Sequence, residues 1–284
     1  MQFILLLFLY LLFPLSAYAI EDDDFWLMLD NELPKSNLSI NAGQDNEDGT
    51  FYGGYLDLAV TDDFYLKLSN SVSRQKLATE TSQWSLGFGN NPQNYFLWNI
   101  NYERWGNSSV LETSNIIADL NMYGDNWNGL IKMETGKVTL QGLSLSTDIE
   151  HRSLGLGFGY NNQHLYWSFS HQRHNYAKDL SKLNFSPILF ILKPILLRII
   201  TPGSQQQATA LADNETIFRI GWGENKYTTE AAYQWIESAV TNEVSEFARL
   251  NISRQITASI NLGVELGHII GGPTSAAVIL DYAW

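Results

Sequence analysis

From Asn37 onward, apolar and polar side chains alternate with a period of two, interrupted at short intervals by Asn, Asp, Gly and Pro. That period places alternate residues on opposite faces of an extended strand. The longest run sets Ile256, Ala258, Ile260, Leu262, Val264 and Leu266 against Thr257, Ser259, Asn261, Gly263 and Glu265. Gly54, Leu56, Leu58 and Val60 likewise oppose Tyr55, Asp57 and Ala59, and Phe64, Leu66 and Leu68 oppose Tyr65, Lys67 and Ser69. The same pattern repeats around Trp84, Phe96, Ile116, Leu154, Leu165, Phe218, Tyr227 and Ala248. One stretch is irregular. Between Trp127 and Gln141 the apolar face moves from Ile131 and Met133 to Val138 and Leu140 around Gly136, which predicts a bulge or a broken strand.

These runs amount to roughly fourteen strands, each of a length that crosses a bilayer at a tilt. Twelve remain open if residues 127–146 are divided differently. The connecting sequences carry turn chemistry, such as Asp48-Gly49, Asp62-Asp63, Asn90-Asn91 and Asn161-Asn162. The acidic run Asp45 to Asp48 reads first as a solvated turn and second as a divalent-cation loop.

The last nine residues, Ala276 to Trp284, put Ala276, Val278, Leu280, Tyr282 and Trp284 on one face and Ala277, Ile279, Asp281 and Ala283 on the other. A strand that stops on an aromatic in this way resembles the terminal strand of bacterial outer-membrane β-barrels. The resemblance implies an all-β, closed antiparallel transmembrane barrel with both ends in the periplasm, which an even strand number satisfies. It also implies that the barrel-assembly machinery reads Ala276 to Trp284, and that outer-membrane lipid and lipopolysaccharide surround the wall. The length is similar to that of monomeric fourteen-strand porins. Outer-membrane fatty-acid transporters resemble it in strand number, but they carry a plug domain ahead of the first strand, where this sequence has only Ile20 to Ser36. A soluble β-sandwich would alternate too. Aromatics argue against it, with Trp84, Trp105 and Trp235 expected at one membrane interface and Trp127, Trp222 and Trp284 at the other.

Ahead of the barrel, Phe3 to Leu15 is an apolar run broken by Pro14 and followed by Ala17-Tyr18-Ala19, the pattern of a signal peptide over residues 1–19. Its first residues lack Lys and Arg. Residues 20–36 then form a periplasmic segment in which Glu21 to Asp24 precede Phe25 to Leu29, either a short helix at the barrel mouth or a simple leader. Barrel strands account for 37–284, interrupted by a long extracellular connection over 175–214. There, Ser186-Pro187 starts and Thr201-Pro202-Gly203 ends a short apolar helix kinked at Pro194. Phe185, Ile188, Leu192, Lys193, Leu196 and Arg198 would plug the mouth, lie on the outer leaflet, or capture an apolar solute.

Composition narrows the function. A net charge of −13 across 284 residues excludes a nucleic-acid partner, and the absence of cysteine excludes thiolate metal sites. Mean hydropathy is −0.15, as expected when an apolar outer wall and a polar inner wall cancel. The polar faces give a lumen-lining set of Asp57, Lys67, Glu103, Asp119, Lys132, Glu134, Arg219, Glu230, Arg249 and Glu265, whose slight acidic excess predicts weak cation preference. His151, His171, His174 and His268 fall near the extracellular rim. Outer-membrane lipases are similar in placing a Ser-His pair there, yet Ser170-His171-Gln172-Arg173-His174 does not match their motifs. No cofactor, metal or catalytic residue is assigned. The expected function is a passive solute channel, with a lipid-active enzyme or a non-conducting surface protein as alternatives.

Overall fold

In the computed structural model, residues 36–284 are described except 47, 76–77, 91–95, 108–110, 125, 142–145, 163, 181–210, 225 and 240–241. The leader, the N-terminal segment up to residue 35 and the apolar loop residues Phe185 to Arg198 therefore lie outside the described residues.

Fourteen strands follow one another: β1 (Asn37–Asp45), β2 (Thr50–Ala59), β3 (Phe64–Gln75), β4 (Ala78–Asn90), β5 (Phe96–Asn107), β6 (Leu111–Tyr123), β7 (Trp127–Gln141), β8 (Ser146–Asn161), β9 (Leu165–Tyr176), β10 (Ala212–Glu224), β11 (Tyr227–Ser238), β12 (Val244–Thr257), β13 (Ile260–Ile269) and β14 (Thr274–Ala283). Each pairs antiparallel with its sequence neighbours, and β1 pairs with β14 to close the barrel. Reciprocal backbone bonds between Ser36 and Trp284, 3.0 Å each, extend that seam. Closure leaves no unpaired edge, the condition for a sheet to stand in hydrocarbon.

The two faces of this wall meet different solvents. Outward residues include Leu156 and Trp127 at 58% exposure and Met133 at 55%, with Leu86, Phe88, Ile100, Phe158, Ile220 and Leu280 similarly open. A contiguous band of such side chains around a closed barrel is a lipid-facing surface. Aromatic clusters edge it. Near the chain termini, Trp127 packs on Tyr160 and Trp167, and Tyr282 stacks on Trp284; toward the other end, Trp84 packs on Tyr102.

Three sequence expectations are corrected here. The run from Ile256 to Leu266 is not one strand: Ala258 and Ser259 form the turn between β12 and β13, and Thr257 pairs with Ile260 across it. β7 contains neither bulge nor break: its register with β6 and β8 runs uninterrupted from Trp127 to Gln141. What changes at Gly136 is the solvent. Outward positions up to Met133 face lipid, while Thr135, Lys137 and Gln141 point into water and Val138 and Leu140 turn inward, buried. Gly136 is favoured for another reason, because a Cβ there would lie 2.5 Å from the Ser114 backbone oxygen on β6. Trp105, expected at the interface, is buried inside the barrel at 4% exposure. It shares the parity of Glu103; the outward position at its level is Arg104, which pairs with Glu112.

Register shifts do occur elsewhere, at Ser73/Gln75, Ala212/Asn214 and Gln255/Thr257. The acidic turn after β1 is organised by its own chain: the Asp45 carboxylate accepts the Gly49 N–H at 2.8 Å, and Asp48 takes the left-handed backbone conformation at φ 63°. β7 and β8, at 15 and 16 residues, are the longest strands, whereas β1, β2, β13 and β14 have 9 or 10. The wall is therefore tallest on one side, at the end away from the termini.

Candidate functional site: the lumen wall

All ten charged residues of the lumen-lining set lie on the inner face, because each shares the parity of inward, buried or half-buried neighbours on its strand. Pairing then decides which of them meet. Asp57 sits opposite Lys67 across β2 and β3, and Asp119 sits opposite Lys132 across β6 and β7, the spacing at which unlike charges attract across a ladder.

Around Lys132 the inner wall is strongly acidic. Its electrostatic neighbours are Glu134, Glu215, Asp119 and Glu103. The three glutamates are nearly inaccessible, and each is held by a glutamine amide rather than by a cation. Gln83 Nε2 donates to Glu103 Oε2 at 3.0 Å, Gln172 Nε2 donates to Glu134 Oε2 at 3.0 Å, and Gln234 Nε2 donates to Glu215. Gln172 reaches Glu134 from two strands away. It does so over the inner row of β8, where Ser153, Gly155, Gly157 and Gly159 have almost no side chain. A Cβ on Gly155 would touch both Gln172 Cβ and Lys132 Cβ at 3.3 Å, so the small residues of β8 let β7 and β9 meet across it.

The next sector, β10 to β13, is built differently. Arg249 Nη2 binds Glu230 Oε1 at 2.9 Å, and its Nε lies 3.8 Å from Glu265 Oε2. Tyr166 donates its phenolic hydroxyl to the other oxygen of Glu230. Arg219 stands where the two sectors join. It lines a cavity of about 320 Å³ together with Lys67, Glu103, Asp119, Lys132 and Glu215, and also a smaller one of about 60 Å³ beside Phe51, Phe247 and Arg249.

Sequence reasoning left Glu215 out of the set, because the strand was begun at Phe218. Counting back by twos from Arg219 through Ile217 would have found it. Asp281, half-buried and inward, belongs to the same wall and receives Asn261 Nδ2 at 3.4 Å. With these two, the described inner wall below the mouth carries eight carboxylates (57, 103, 119, 134, 215, 230, 265 and 281) and four cations (67, 132, 219 and 249). Asp45, which shares the inward parity of β1, adds a further carboxylate at the mouth.

The histidines divide between the two faces. His151 and His174 point inward and are buried. His151 Nε2 lies 2.9 Å from Asn115 Oδ1, and neither ring nitrogen of His174 has a hydrogen-bond partner among the described residues. His171 points outward, with Nδ1 2.9 Å from the Thr216 hydroxyl, and His268 Nδ1 is 3.1 Å from that of Thr274. Ser170 has the opposite parity to His171 and lies on the inner face. Among the described residues, no three His, Asp or Glu side chains are arranged to hold a metal ion.

No family model and no curated protein matches the chain. Solved structures that are similar to it include the KdgM porin, at TM-score 0.46 and 9% identity over 87% of this chain and 99% of that one. Pseudomonas aeruginosa OccK3 (OpdO) is similar at TM-score 0.43 and 8% identity, over 88% and 95% of the two chains. A loop L8 deletion mutant of OmpT, an outer membrane protein of Vibrio cholerae, is similar at TM-score 0.46 and 7% identity, over 88% and 98%. What register and surface establish for this chain is a closed barrel of fourteen antiparallel strands with an apolar outer face.

Proposed function

We propose that the barrel is a passive channel of the bacterial outer membrane that passes small hydrated solutes and favours cations. The observation that carries this reading is the lumen wall itself: eight carboxylates against four cations, around a polar cavity of about 320 Å³, inside a wall whose other face is apolar. Fixed charge of one sign in a confined aqueous path concentrates the opposite ion and raises its flux. The eight-to-four ratio supports a stronger preference than the six-to-four ratio of the sequence-derived set. In this reading the apolar segment from Phe185 to Thr201 modifies the extracellular mouth, lipid and lipopolysaccharide contact the outer wall, and the assembly machinery engages Ala276 to Trp284.

A second reading has its own support. The mutual pairing of Glu103, Glu134, Glu215, Glu230 and Glu265 with amides and Arg249 is what a non-conducting, internally braced barrel would also display. Single-channel recording separates the two. The purified barrel in a planar bilayer should conduct, with a reversal potential of cation-selective sign under a potassium chloride gradient. Deleting residues 185–201 should raise conductance. If both forms are silent, the channel reading fails and the braced barrel stands.

A further inference from the structure

On the outer wall above the lipid band, most strand cations are already neutralised. Arg74 pairs with Glu80, Arg104 with Glu112 and Lys137 with Asp148. Two arginines on adjacent strands differ. Arg152 on β8 and Arg173 on β9 are exposed, point outward, and form no ion pair among the described residues. In the ladder Arg152 faces Asn175 and Arg173 faces Leu154, so the two arginines are diagonal neighbours about 7–8 Å apart. Like charges at that spacing repel unless an anion lies between them.

Their height on the wall is equally informative. Arg173 is level with Leu154 and Met133, which face lipid at 53% and 55% exposure. One step further from the membrane, Arg152 is level with Thr135, and beyond it come Lys137, Glu150 and Asp148 in water. The pair thus marks the line where hydrocarbon gives way to charge. Nearby carboxylates leave it free: Glu150 makes no ion pair with either arginine, and Glu237 accepts Asn214 Nδ2 at 2.9 Å. His171 and Asn175 complete an exposed polar surround.

We propose that Arg152 and Arg173 bind the phosphate groups of a phosphorylated glycolipid in the outer leaflet. Two guanidinium groups present planar forks of donors that match phosphate oxygens in pairs. The acyl chains lie on Leu154, Leu156 and Met133, which continue the site toward the membrane centre. A glycolipid fits better than a phospholipid because β7 and β8 continue above the arginines with outward Thr, Lys, Asp and Glu, a surface suited to a layer of sugars. The site rests on the outer-membrane reading above, but not on conduction, since it is on the opposite face from the lumen.

Native mass spectrometry of the folded barrel in zwitterionic detergent tests this, with lipid A carrying two phosphates, lipid A carrying one, and phosphatidylglycerol as probes. The wild-type barrel should retain the two-phosphate lipid A best. The R152S/R173S variant should lose roughly tenfold in retention, while R104S, on the same wall but already paired, should match wild type. Equal retention by R152S/R173S and wild type overturns the site. An equal loss in R104S overturns it in favour of general surface charge, and equal retention of phosphatidylglycerol overturns the choice of a glycolipid. Heat-modifiable migration reports folding, and conductance of R152S/R173S should be unchanged. A silent barrel that still holds lipid A would therefore refute the channel alone, and cell fractionation away from the outer membrane would refute the shared premise.

Discussion

The two sectors of the lumen wall hold the same kinds of side chain but satisfy them by different means. From β10 to β13, Glu230 and Glu265 share Arg249, so part of the negative charge is offset where it lies. From β4 to β10, Glu103, Glu134 and Glu215 are each held by a glutamine amide, which satisfies hydrogen bonds without cancelling charge. Lys132 is the cation that all three glutamates share as an electrostatic neighbour. Amide clamping holds a carboxylate without supplying a counter-charge; guanidinium clamping supplies one.

Removing Lys132 should separate the sectors most sharply. Lys132→Met removes a cation that attracts four inner carboxylates without a direct ion pair to any of them, and should lower unfolding free energy by about 3 kcal/mol, the scale of one unlike pair about 6 Å apart at an effective dielectric near ~20. Urea titration in lipid micelles measures it. Next comes Gly155→Val, which forces Lys132 and Gln172 apart and should cost about 2 kcal/mol as overpacking. In the braced sector, Glu230→Gln leaves Arg249 with Glu265 and should cost about 1 kcal/mol. A loss from Glu230→Gln as large as that from Lys132→Met would erase the distinction. The smallest effect tests charge without stability. Glu215→Gln should reduce the cation-to-anion permeability ratio by roughly twofold, and Glu265→Gln by less, as read from reversal potentials.

Much of the fold was legible because a barrel wall writes its two solvents into the sequence as alternation. The strand number and the inward set from Asp57 to Glu265 follow from parity alone. Parity says nothing about height, however. The shift at Gly136 looked like a bulge because leaving the bilayer and slipping register by one both exchange apolar for polar on a face. Trp105 was misplaced for a related reason: tryptophan suggested an interface, and its own position in the alternation, two after Glu103, was overruled. The amide clamps were not legible at all. Gln83, Gln172 and Gln234 are unremarkable polar residues until pairing sets each within reach of its glutamate, and Gln172 does so only across a strand of glycine and serine.

The seam between β1 and β14 has a consequence for partners. Nine residue pairs, from Asn37–Ala283 to Asp45–Ser275, zip it shut. Any protein that recognises this chain by adding a strand of its own must therefore compete with the chain for its own first strand. Such a partner can hold the unfinished barrel but is displaced from the finished one.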